Sequence, residues 1–209
     1  MHIADGILPG PVIAATSALA VGGVGLGLSR LDYEQIPRVG MLSAAFFVVS
    51  LIHVKLGPAS AHLLLTGLIG CLLGWKAMPA LFCALLLQAA LFAHGGVICL
   101  GANVLVMGLP AVACYYLIGR GIRATATVRR VFVLAFVAGA VGVCLSCAMM
   151  GAVLCAAGRE FMVPVIAIFV AHVPLMVIEG FITAAALVFL RRVRPELLAP
   201  RADAGPCKE

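Results

Sequence analysis

Five histidines, at positions 2, 53, 62, 94 and 172, are the side chains of this sequence best suited to holding a metal. His2 is the most informative because of where it stands. A histidine in second position can offer one metal three successive nitrogens. These are the free α-amine of Met1, the deprotonated amide nitrogen of His2 and the His2 imidazole. The fused rings they form favour a planar arrangement. Tetragonal nitrogen sites suit Ni²⁺ and Cu²⁺, whereas Zn²⁺ prefers a tetrahedron. The bulk of His2 is expected to keep Met1 in place. A fourth nitrogen would close the square.

His62 is the candidate for that fourth nitrogen, in the run Gly57-Pro-Ala-Ser-Ala-His62 at the expected start of a helix. The competing reading is a helix-entry histidine bonded to a carbonyl. Ser60 could cap that helix or orient the imidazole. His94 with Gly95 and Gly96 is expected to form a tight turn, and Asn103 follows near the same end of the next helix. His172 and Glu179 are seven residues apart, which places them on roughly the same face of one helix. Ionisable groups inside membrane helices are costly and often functional, so this pair reads either as a structural contact or as part of a pathway.

The elements that must position these residues are membrane helices. The chain has 209 residues, of which 64% are hydrophobic and 11% charged, and its mean hydropathy is +1.21. Soluble domains are about 45–50% apolar and about 25% charged. Such a chain cannot cover a water-soluble globule with polar surface. Seven apolar segments are expected, at residues 11–29, 40–54, 59–75, 78–93, 97–119, 131–157 and 163–190. The second and third are short, and the turn around His53 and Lys55 is expected to dip into the membrane. The fold class is therefore an all-α integral membrane protein of about seven transmembrane helices. It reads as one domain over residues 1–190 with a polar tail over 191–209.

Charge orients the bundle. Of the 14 Lys and Arg residues, all but Lys55 and Arg159 fall on one side, together with the tail. By the positive-inside rule that side is cytoplasmic, and the N-terminus faces outward. Residues 1–10 hold Asp5 and no basic residue, unlike the start of a secretory signal. Seven of the eight cysteines lie in apolar segments, where they serve as small hydrophobes. Cys144 and Cys147 form a CxxC, but on an apolar helix with no second pair. The glycines at 22, 23, 25 and 27 suit close helix packing. No strand precedes them and no Gly-Lys-Ser/Thr follows, so they are not a phosphate loop, and the chain has no ATP-binding motif. The net charge of +6 reflects topology and does not call for nucleic acid. The loop from Arg120 to Arg130 could meet a membrane partner or anionic lipid.

The opening Met1-His2-Ile3-Ala4-Asp5-Gly6-Ile7-Leu8 resembles the N-terminus of the CbiM/NikM family. The resemblance continues through Pro58-Ala-Ser-Ala-His62-Leu, Leu87-Gln-Ala-Ala-Leu-Phe-Ala-His-Gly-Gly96 and Leu100-Gly-Ala-Asn103-Val-Leu-Val-Met107. It reaches Ala171-His172 and Ile178-Glu179-Gly180-Phe-Ile-Thr183. Members are the substrate-capturing membrane subunits of energy-coupling-factor transporters for cobalt and nickel. The resemblance implies a mainly square-planar site built from the Met1 amine, the His2 amide, the His2 ring and the His62 ring. It also implies Ni²⁺ or Co²⁺ as cargo, with no resident cofactor, in the cell membrane of a bacterium or archaeon. The implied partners are a membrane coupling subunit, cytoplasmic ATPase subunits and a small accessory membrane protein. This chain departs from the family pattern in three places. It has Ala93-His94-Gly95-Gly96 where the family often has Gly-Asp-Gly-Gly, Val106 where a second Asn is common, and Gly57-Pro58 where Pro-Gly-Gly is common. These changes bear on contacts with accessory loops and leave the four nitrogens in place.

Two rival functions differ in what they need. A secondary metal permease driven by an ion gradient would work without an ATPase partner. A haem protein would need axial ligands such as His62 and His94 and would show a Soret band. A retinal protein is discounted, because the seventh segment has no Lys for a Schiff base.

Overall fold

The computed structural model describes residues 2–56, 59–125, 127–158 and 161–198, with the backbone alone for 53–56 and 59–61. The chain order is α1 (Gly10–Leu28), α2 (Ile36–Ser50), β1 (His53–Leu56), β2 (Ala59–His62), α3 (Thr66–Leu73), α4 (Ala77–Phe92), α5 (Leu100–Cys114), α6 (Arg120–Ala124), α7 (Val128–Ala157) and α8 (Met162–Val193). The protein is a helical membrane body, as its composition requires. Five stretches are long and apolar enough to cross a bilayer: Gly10–Leu28, Thr66–Phe92, Leu100–Ala124, Val128–Ala157 and Met162–Val193. The exterior of the body is apolar too. Val21 on α1 is 72% exposed and Val163 on α8 is 76% exposed, as a lipid-facing surface requires.

The expected third helix, over residues 59–75, is corrected here. Its first part is strand β2, paired antiparallel with β1 in the register His53↔His62. Residues 63–65 then run without regular structure into the eight-residue helix α3. A short apolar run cannot by its pattern distinguish strand from helix. What decides the matter is where the main-chain donors go. The Leu64 and Leu65 N–H groups donate to the carboxylate of Glu179 on α8, the Leu65 bond being 2.9 Å to Oε1. Backbone left outside a helix at membrane depth needs such a partner. Ser60 therefore cannot cap a helix, because it lies in β2 and α3 starts at Thr66.

The stretch Thr66–Phe92 is also not one crossing. Gly74, with φ +58° and ψ −126°, breaks it. The flanking residues His62 and His94 both lie against His2, with ring centres 4.7 and 6.4 Å from that of His2. The chain thus goes in through β2 and α3 and returns through α4. Glycines let the short α3 sit deep in the body. A Cβ on Gly70 would run into the carbonyl of Ala111 on α5, and one on Gly67 into Ala138 on α7.

Helix α3 has charges of the favourable sign at both ends. Glu179 lies at its N-terminal approach, where the helix dipole is positive. At the other end Arg123 Nη2 donates to the Cys71 carbonyl at 2.7 Å, and Arg38 Nη2 to the Leu72 carbonyl at 3.0 Å. The basic residues gather at this end. Arg38 also reaches Leu197 O, Lys76 bonds Gln35, and Arg191 bonds Thr125 O. Beyond Val193 the chain makes a 3₁₀ turn and buries Leu198 against the body. Pro110 interrupts α5, and a π turn over Tyr115–Gly119 joins it to α6.

Candidate metal centre

At the end opposite the arginines, the chain N-terminus folds into the body. Ile3 is fully buried, and both ring nitrogens of His2 are buried beside it. Asn103, near the start of α5, clamps this segment as a third strand would. Its Oδ1 accepts from Ile3 N–H at 2.8 Å, and its Nδ2 donates to Ile3 O at 3.0 Å and Gly95 O at 3.2 Å. Asp5 adds a second tie, accepting from Cys99 N–H at 2.9 Å. An anion there also faces the positive end of α5. The Cys99 thiol donates to Ala4 O at 3.4 Å.

The turn after α4 makes room for this segment. Ala93, Gly95 and Gly96 all have positive φ. A side chain on Gly96 would collide with the Asp5 carboxylate, and one on Gly95 would come within 3.2 Å of His2 Cβ. Both positions therefore need glycine for space as well as for backbone conformation.

Three histidines meet here. The His2 ring stacks on His62 with a centroid distance of 4.7 Å and an interplanar angle of 19°. His94 lies 6.4 Å from the His2 ring and nearly parallel to it, at 4°. His62 is buried, and its Nδ1 lies 3.0 Å from Leu63 O. A ring nitrogen facing a carbonyl must carry the proton, so the His62 lone pair is on Nε2. Two imidazoles at neighbouring corners of one metal, with metal–nitrogen bonds of about 2.0–2.1 Å, hold their ring centres roughly 4–5 Å apart. The His2–His62 spacing falls in that range, although the rings are stacked nearly parallel, so one of them has to turn before both lone pairs can point at one ion. The Met1 amine lies outside the described residues. Among the described residues, no three His, Cys, Asp or Glu side chains are grouped to hold a metal. A set that draws two of its four nitrogens from the main chain does not need such a group.

The remaining expected residues divide. Ser60 contributes backbone to the hairpin opposite Lys55, and its side chain lies outside the description. His172 is buried two helical turns from Glu179 on α8, with its Nδ1 2.7 Å from Ile168 O. Glu179 is fully buried and, through the backbone of Leu64 and Leu65, is linked to the end of the body where the histidines meet. Thr66, Ser146 and Thr183 are buried in the same interior, and their hydroxyls have no hydrogen-bond partner among the described residues. Asp5 ties this segment to the start of α5, a contact the sequence reading did not use. Its signal was present, an acid close to a segment that has to be tied down, but the partner N–H is 94 residues away.

The family model for the cobalt uptake substrate-specific transmembrane region CbiM matches residues 2–197. A Haemophilus influenzae protein with a provisional metal-transport name is 35% identical over 95% of this chain and 97% of its own length. A fused nickel transport protein, NikMN, of Rhodobacter capsulatus is 35% identical over 99% of this chain and 66% of its own length. The chain resembles in fold the crystal structure of a truncated transition metal transporter, with a TM-score of 0.67 at 22% identity, over 92% of this chain and 99% of that one.

Proposed function

The chain belongs to the CbiM family of cobalt and nickel transport proteins, and from that premise we propose that it is the substrate-capturing membrane subunit of an ATP-driven importer. The ion is a divalent transition metal, with Ni²⁺ preferred to Co²⁺. Its four nitrogens are the Met1 amine, the His2 amide, the His2 ring and Nε2 of His62. The observation that carries this reading is the stacking of His2 on His62 at 4.7 Å, in a segment held by Asn103 and Asp5. Two rings brought within ligand spacing beside a chelating terminus favour a planar ion, and planarity favours nickel. The metal site faces outward and the arginine end faces the cytoplasm. ATP is hydrolysed on partner chains, since this chain carries no motif for it.

The test is calorimetry with Ni²⁺ and Co²⁺ on the purified chain, comparing the native terminus with a version bearing one extra residue before Met1. The extension leaves every side chain in place but turns the chelating amine into an amide. High-affinity binding is expected to disappear. Equal binding by both versions would rule out the terminal chelate. A second assay addresses energy coupling. Vesicles holding the chain alone are expected to accumulate no metal, whereas uptake driven by an ion gradient in such vesicles would identify a secondary permease.

A further inference from the structure

One peptide group joins the proposed metal ligand to the buried acid of α8. The Leu63 carbonyl faces Nδ1 of His62 at 3.0 Å. The N–H on the other side of that same peptide, that of Leu64, donates to Oε1 of Glu179. The next N–H, of Leu65, is shared between Oε1 at 2.9 Å and Oε2 at 3.1 Å. Carboxylate, peptide and imidazole thus form one hydrogen-bonded chain that ends at the ring nitrogen left to meet the metal. Metal-binding histidines commonly donate their second N–H to a carboxylate or carbonyl, which fixes the tautomer and makes the ligand a better donor. Hydrogen bonds in a chain also polarise one another, most strongly where water is excluded. His62, Asn103 and Glu179 are all buried.

We propose that Glu179 is a positioning residue for the transported ion, acting on His62 through the Leu63–Leu64 peptide group. This rests on the reading of His62 as a ligand. The carboxylate holds the Leu64 N–H, and this pulls electron density through the peptide towards its carbonyl. That carbonyl then grips the Nδ1 proton and presents Nε2 in one orientation. Glu179 also supplies the acceptor for two buried N–H groups that no helix or strand satisfies, so it keeps residues 63–65 in the extended path that delivers His62 to His2. Helix α8, which carries Glu179 towards the arginine end, is thereby connected to the metal site by a single peptide.

A double-mutant cycle tests this, with Ni²⁺ binding measured on the full chain in detergent for wild type, Glu179→Gln, His62→Ala and the double variant. Gln keeps the length and one acceptor oxygen but carries no charge. In the wild-type background Glu179→Gln is expected to weaken Ni²⁺ binding about 10–100-fold, the usual size of such indirect effects. In the His62→Ala background it is expected to cost little further, because the relay has lost its end. An equal loss in both backgrounds would reduce Glu179 to a general structural role. No loss in wild type, with His62→Ala still impaired, would overturn the relay and leave the ligand in place. If His62→Ala binds normally, the ligand assignment fails and the relay with it. Should Glu179→Gln not fold, the wild type provides a second measurement. Planar Ni²⁺ is diamagnetic, and in leucine-labelled protein the Leu64 amide proton is expected to move downfield on loading, more than that of Leu65. An unmoved Leu64 proton would refute the relay.

Discussion

Asn103 shows what a single residue does in this site. It satisfies both the N–H and the C=O of Ile3, the residue that follows the proposed chelating histidine. Asn103→Ala leaves both groups buried without a partner, at a cost of about 1–3 kcal/mol each. Because that cost falls on the ordered N-terminus, Ni²⁺ affinity should fall by roughly tenfold or more, 1.4 kcal/mol being one decade. Asn103→Asp keeps the acceptor for Ile3 N–H and loses the donor, so it should fall between the two in a titration. The proposed chelate also dictates a pH dependence. Protons compete for the amine, the amide and the rings, so affinity must fall as pH falls and protons must leave as metal binds. Calorimetry in buffers of different ionisation enthalpy should show about one proton or more released per ion. Binding without proton release would mean that the His2 amide stays protonated and is not a ligand.

At the level of elements, α3 is the unusual feature. It is eight residues long, starts inside the body, and is held by an acid at one end and by two arginines at the other. An isolated helix of that length is not stable in water, so its packing and its end partners must hold it. Gly70→Ala puts a methyl into the Ala111 carbonyl and should destabilise the protein by about 1–3 kcal/mol, seen as a lower melting temperature in detergent. Gly22→Ala on α1 meets nothing within 4 Å and is the matched control, expected to melt with the wild type. If the two variants melt alike, the close approach of α3 to α5 is not needed for stability.

For the whole molecule, the separation of its two ends carries the functional reading. Histidines 2, 62 and 94 meet at one end, and Arg38, Arg123 and Arg191 bind main-chain carbonyls at the other. Under the proposed orientation, with the arginine end in the cytoplasm, a fluorescent protein fused after Leu198 should mature and fluoresce in intact cells, whereas alkaline phosphatase at the same point should stay inactive. The reverse pattern would place the metal site inside and contradict capture from the exterior.

The sequence alone disclosed much of this protein. Composition forced a membrane protein, and the runs over residues 11–29, 78–93, 131–157 and 163–190 foretold α1, α4, α7 and α8, because burial in lipid demands long apolar helices. His2, His53, His62 and His94, with Asn103 nearby, were expected at one end because each sits beside an expected turn or terminus, and of these the structure brings His2, His62 and His94 together, the His53 side chain lying outside the described residues. Residues 59–65 were misread as the start of a helix. Their apolar run suits strand and helix alike, and the outcome turns on an acid 114 residues further along the chain that accepts the N–H of Leu65. The same limit hid the tie from Asp5 to Cys99 and the peptide link from Glu179 to His62. Local pattern reports how a segment meets lipid or core. Which distant group satisfies a buried N–H depends on how the helices pack, and only the tertiary structure settles that.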